Sequence, residues 1–135
     1  MTDTPMIVVG YTADAYGHAA LQHGIDEAKL RGMHLLVINS TAGDSYVDPR
    51  FAGGAEVHDL EALLEECGVA FELRQPVGVD AAEELLAAMD RPAAEMLVVG
   101  VRDRSPVGKL LLGSVAQKVI LECPKPVLAV KPSGV

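Results

Sequence analysis

Short apolar runs alternate with amphipathic stretches along the whole chain. Three runs are strongly hydrophobic: Met6-Ile7-Val8-Val9, Met96-Leu97-Val98-Val99 and Pro126-Val127-Leu128-Ala129-Val130. Each is brief and bounded by Gly, Pro or charge, as strands covered on both faces should be. A fourth run, Leu35-Leu36-Val37-Ile38, follows Gly32. Residues Val69 to Pro76 alternate weakly and predict an edge strand.

Helical spacing fills the intervals. Leu21, Ile25 and Ala28 share one face, and Gly32 suits the C′ position of that helix. Val57, Leu60, Leu64 and Cys67 form a second stripe closed by Gly68, and Ala82, Leu85, Leu86 and Met89 a third. Asp80 with Glu83 predicts a capping box at the start of the third, and Pro92 follows its end. Val115, Val119 and Ile120 make a fourth. The order is therefore βαβαβαβαβ, which demands a parallel sheet with right-handed crossovers. Such sheets bind ligands at the carboxyl ends of their strands, where the winding reverses. The loops after strands one, two and four are the places to look. The long irregular stretch from Ser40 to Gly54 is either a lid or a mobile loop.

Composition narrows the picture. The 135 residues suit one domain, expected over 1–135. Half are apolar but only 4% aromatic, with no Trp, so the core is aliphatic. A net charge of −8 argues against nucleic acid or a membrane surface as partner. That charge is uneven: residues 98–135 carry a net +4, and residues 1–97 a net −12. An acidic protein with one basic segment suits a small anion there. Cys67 and Cys123 lack metal or redox spacing and are expected to be buried free thiols. MTDTPMIVVG is not a signal peptide, and no run approaches a membrane span, so a cytoplasmic protein is expected.

The most informative segment runs from Gly100 through Arg102, Asp103, Arg104, Gly108 and Lys109 to Gly113-Ser114. It begins where an apolar strand ends and stops where an amphipathic helix begins. Gly100 lets the chain turn, Gly113 lets a ligand approach the backbone, and Ser114 can cap the helix or offer a hydroxyl. The free amides near Ser114, Val115 and Ala116, with the positive end of the helix dipole, would attract phosphate. Arg102, Arg104 and Lys109 add positive charge. A plain loop with a Ser cap and basic surface residues fits the same composition. The segment is no Walker A loop: Gly100 and Gly108 enclose seven residues rather than four, and Leu110 follows Lys109.

The spacing Gly100-x2-Asp103-x9-Gly113-Ser114 resembles the nucleotide loop of universal stress proteins, whose pattern is G-x2-G-x9-G-[S/T]. Ser114 to Ile120, Cys123-Pro124 and Pro126 to Val130 resemble that family's closing helix and last strand. The resemblance extends over essentially the whole chain. It implies a three-layer α/β sandwich of Rossmann-like, adenine nucleotide alpha hydrolase-like type. The parallel sheet would have five strands in the order 3-2-1-4-5, with helices on both faces. It implies ATP or a related adenine nucleotide such as AMP as ligand, with or without Mg2+. Gly100, Arg102, Gly113, Ser114, Val115 and Ala116 would surround phosphate and ribose. Gly10, Thr12 and Ser40 would lie near the base, with Val99 beneath. It also implies a homodimer through Val127, Leu128, Ala129 and Val130.

Two residues depart from the family pattern. Thr12 stands where binders usually carry Asp, and Asp103 replaces the second Gly. A carboxylate about 5 Å from a phosphate costs on the order of 1–3 kcal/mol at an effective dielectric near 20. Arg102 or Arg104 can offset that by pairing with Asp103. The departures leave open a second reading, a dimeric stress-associated scaffold with a degenerate pocket. Catalysis has little support beyond a slow ATPase using Asp103 or Asp14 as base. His18, His23, His34 and His58 are scattered and read as surface residues, and the acidic pairs Asp26-Glu27, Glu65-Glu66 and Glu83-Glu84 as solvated helix faces. Ser105 and Ser114 lack the G-x-S-x-G elbow of a hydrolase. A phosphoacceptor receiver domain would need Asp where the third strand ends Leu73-Arg74-Gln75-Pro76.

Overall fold

A computed structural model of the chain describes residues 4–41, 52–101 and 113–132. The elements follow in the order β1 (Met6–Gly10), α1 (Ala15–Arg31), β2 (His34–Ile38), α2 (Gly54–Glu66), β3 (Phe71–Arg74), α3 (Ala81–Met89), β4 (Ala94–Gly100), α4 (Ser114–Glu122) and β5 (Val127–Val130). The five strands form one sheet in the order β3-β2-β1-β4-β5, and every pairing is parallel. Ile7 pairs with Leu35 on one side and Met96 on the other, so β1 is the centre of the sheet. Its Ile7, Val8 and Val9 are fully buried.

Side-chain alternation divides the interior into two cores. Ile7, Val9, Leu35, Val37 and Val98 face Leu21, Ile25, Leu60 and Leu64 of α1 and α2. Val8, Leu36, Ile38, Leu97 and Val99 face Leu85, Met89, Ala116 and Val119 of α3 and α4. The result is the expected three-layer α/β sandwich. Helix α1 lies close on the sheet because Gly24 has no side chain, and a Cβ there would stand 2.4 Å from Val9 Cγ2. The helix ends on Gly32 at φ 65, a left-handed conformation glycine adopts readily, with its amide returning to Ala28 O.

Three local expectations are corrected. Ile120 is exposed, and Ala116 takes its place on the buried face of α4. Cys67 and Cys123 are free but half-buried, because each sits at the C-cap of its helix rather than inside it. At the start of α3 only half of the capping box forms. Asp80 Oδ2 accepts the Glu83 amide at 3.0 Å, whereas the Glu83 carboxylate pairs with Lys118 and ties α3 to α4. The acidic side chain finds a stronger partner across the helix pair than its own backbone offers.

Candidate functional site

The carboxyl ends of β1, β2 and β4 open into a cavity of about 410 Å³. Ile38, Leu85, Val99 and Ala116 give it apolar walls, and Gly10, Thr12, Ser40, Thr41 and Gly100 form part of its lining. The volume is that of a small-molecule site.

Three helices point their N-termini at this cavity, and they end differently. Helix α1 starts at Asp14, whose Oδ1 accepts the Gly17 amide at 2.9 Å and the Thr12 hydroxyl at 2.7 Å. Helix α3 starts at Asp80, which caps it as described. Helix α4 starts at Gly113, which can supply no side-chain cap. Ser114 is the first helical residue rather than the cap, which corrects the expectation that its hydroxyl could close the helix. The first bond within α4 runs from Gln117 N–H to Gly113 O at 2.9 Å, so the amides of Ser114, Val115 and Ala116 have no partner within the helix. Gly113, Ser114, Val115 and Ala116 all line the cavity.

The glycines act differently from one another here. Among the described residues, a Cβ on Gly113 would meet nothing within 4 Å. A Cβ on Gly100 would lie 2.3 Å from the Tyr16 carbonyl oxygen. Gly100 is the last residue of β4 and has no positive φ, so its role is close packing of α1 on the strand end rather than a turn.

Residues behind the cavity hold its rim. Asn39 is buried, donates from Nδ2 to Tyr11 O at 2.9 Å, and accepts the Ala52 amide on Oδ1 at 2.8 Å. Gln75 Nε2 joins the same group, donating to Asn39 Oδ1 at 3.1 Å and Ala52 O at 3.0 Å. Thr41 bridges Val77, and its carbonyl accepts the Gly78 and Val79 amides, so the β3–α3 connection lies beside the end of β2. Tyr11 is buried beneath the rim, with its ring edge-on to His18 at 5.5 Å between centroids. Burial raises the Tyr11 pKa, and the charges of Glu56 and Asp14 raise it further.

Nine of the residues singled out from sequence therefore surround one cavity: Gly10, Thr12, Ser40, Val99, Gly100, Gly113, Ser114, Val115 and Ala116. Arg102 lies outside the described residues, as do Asp103, Arg104, Lys109 and segment 42–51 of the stretch expected to be a lid or a mobile loop. Sequence reasoning missed Tyr11, Tyr16, Val79, Asp80 and Leu85 as lining residues. The signal was available in part: in the order 3-2-1-4-5 the segment after β3 lies beside the end of β2. Among the described residues, no group of three His, Cys, Asp or Glu side chains could hold a metal ion. No helix there is long and apolar enough to cross a membrane.

The model of the Universal stress protein family matches residues 5–131. The chain belongs to the universal stress protein family. A universal stress protein of Mycolicibacterium smegmatis is 71% identical over 129 residues, spanning 96% of this chain and 99% of that protein. The solved universal stress protein of Archaeoglobus fulgidus superposes with a TM-score of 0.76 at 28% identity, over 95% of this chain and 98% of that one. A structure of the universal stress protein from Archaeoglobus fulgidus in complex with dAMP gives 0.65 at 24% identity, over the same shares. A universal stress protein in complex with cAMP gives 0.70 at 23% identity, over 98% and 100%. These likenesses show that universal stress proteins share the five-stranded Rossmann-like architecture described above.

Proposed function

We propose that this universal stress protein is a regulatory module that binds an adenine nucleotide, AMP or ATP, in the cavity above β1, β2 and β4. The phosphate would sit on the amides of Ser114, Val115 and Ala116, and Gly10, Thr12 and Ser40 would face the ribose and base. One observation carries the reading. Of three helix N-termini at the cavity, two are closed by Asp14 and Asp80, and only that of α4 is left without a side-chain cap. Uncapped amides at a positive helix end favour an anion. The dAMP and cAMP complexes of other universal stress proteins support the choice of an adenine nucleotide. Mg2+ would arrive on the phosphates of a triphosphate; among the described residues no group of three His, Cys, Asp or Glu side chains offers it a site of its own. We assign no hydrolytic role to the site, and homodimerisation through β5 belongs to the same proposal.

Titration calorimetry with AMP, cyclic AMP and Mg-ATP tests the reading, on the wild type and on Gly113→Val. The variant should keep the fold, because a Cβ at Gly113 meets nothing within 4 Å among the described residues, yet it adds a branched group at a position that lines the cavity beside the α4 amides. Binding by the wild type and its loss in Gly113→Val is the expected result. Silence from every nucleotide at millimolar concentration would overturn it.

A second reading has one observation in its favour. The Thr12 hydroxyl is turned to Asp14, so its proton is committed within the protein. A scaffold with a degenerate pocket would tolerate that arrangement, and nucleotide retained through purification would exclude it.

A further inference from the structure

The cavity mixes an anion-seeking helix end with two carboxylates, and the mixture bears on how much negative charge a ligand can carry. Asp14 and Asp80 both line it. Neither can simply swing away, since each is tied to the first turn of its helix: Asp14 by the Gly17 amide and the Thr12 hydroxyl, Asp80 by the Glu83 amide. A carboxylate offers about four lone-pair positions, so each can still accept from a ligand donor. Hydroxyl and amino groups are such donors, and phosphate oxygens are not. The α1 and α3 ends therefore suit the uncharged half of a nucleotide, and the α4 end its phosphate.

We infer that Asp14 and Asp80 are specificity-determining residues that make the cavity select a nucleoside monophosphate over the metal-free triphosphate. This rests on the nucleotide reading above and adds to it which charge state the site takes. One phosphate can be held by the α4 amides while the rest of the ligand meets the carboxylates. Further phosphates bring negative charge toward two carboxylates held in place at their helix ends, the half-buried Asp14 and the exposed Asp80, and the half-buried one repels it more strongly than bulk water would allow.

The experiment is a titration of the full chain with AMP, ADP and ATP in EDTA, on the wild type and on Asp14→Asn/Asp80→Asn. Asparagine caps helices as well as aspartate does, so the double variant removes both charges and keeps both caps. In the wild type AMP should bind about tenfold more tightly than ATP, with ADP between them, a gap of about 1.4 kcal/mol. In the double variant ATP affinity should rise more than AMP affinity, bringing the ratio toward one. Equal affinities in the wild type, or a ratio unmoved by the double substitution, overturn the inference while leaving nucleotide binding intact. No binding of any nucleotide overturns the underlying reading as well, and so the two failures are told apart.

Discussion

The Thr12 hydroxyl donates to Asp14 Oδ1 at 2.7 Å, and the same oxygen accepts the Gly17 amide at 2.9 Å. The loop after β1 is thus locked to the start of α1 through one atom. Position 17 must be glycine for this to happen, because a Cβ there would fall 1.6 Å from the Thr12 carbonyl oxygen. Loss of an N-cap costs about 1 kcal/mol, within a range of roughly 0.5–2. Asp14→Ala should lower stability by that amount in urea denaturation, and Asp14→Asn should leave it nearly unchanged. Thr12→Val should cost less than Asp14→Ala, since the Gly17 bond survives it. If Asp14→Ala were silent, the lock would contribute nothing to the fold.

Gly100 ends β4 and Gly113 is the N-cap of α4, and the two should respond differently to alanine. The added methyl at Gly100 collides with the Tyr16 carbonyl, a backbone atom in the first turn of α1. Overpacking of this kind costs about 1–3 kcal/mol, and the shift it forces reaches a cavity wall. Alanine at Gly113 meets nothing within 4 Å among the described residues, and its φ of −66° suits any residue. Stability there should stay within about 0.5 kcal/mol of wild type, as at ordinary surface positions. Thermal melts of the two variants compared side by side decide it; equal effects would mean the two glycines are not distinguished as described.

The strands and helices were legible because apolar runs and helical stripes depend on neighbours in sequence, and β1 to β5 repeat that grammar clearly. The nine residues around the cavity were legible for another reason: a parallel sheet puts its strand ends side by side, so motifs far apart in sequence converge. What escaped was non-local. Nothing near Asn39 in sequence announces that its amide joins Tyr11, Ala52 and Gln75, which lie up to 36 residues away. Glu83 looked like the partner of Asp80 because local spacing favours it, yet Lys118 from another helix takes it. Gly100 was read as a turn residue, but its cause is the Tyr16 backbone pressing against it. Ser114 beside Gly113 reads equally well as a cap or a first-turn residue, and a one-residue shift in the helix start decides its role.

Tyr11 provides a stability change at alkaline pH. Its pKa lies above the model-compound value of 10.0, first because burial disfavours the phenolate and then because Glu56 and Asp14 repel it. The folded state therefore holds the phenol proton to higher pH than the unfolded chain does. Stability from this group is complete below pH 10 and declines as pH climbs from 10 through the raised folded value. Chemical denaturation across that range should show a steeper decline for the wild type than for Tyr11→Phe. Phenolate absorbance should likewise show one late-titrating tyrosine that the variant lacks. Parallel declines for both proteins would mean the ring is not shielded as described.

Strand β5 stands at one edge of the sheet with β4 as its partner. Leu97 N–H bonds to Pro126 O, just before β5, and Val101 N–H to Val130 O, so the carbonyls of Pro126 and Val130 point at β4. Alternation along a strand then turns the amides of Val127 and Ala129 outward. An open edge of this kind is a template for another strand, and a second copy of β5 is the partner expected here. Ala129 is exposed while Val130 is buried, so the outer edge can be changed without disturbing the core. Ala129→Pro removes one outward amide and leaves the bonds to β4 in place, a substitution edge strands accept. Light scattering at micromolar concentration should report a dimer for the wild type and a monomer for Ala129→Pro, with similar melting temperatures once concentration is held equal and low. A monomeric wild type removes the dimer altogether, and a variant that stays dimeric places the interface on some other face.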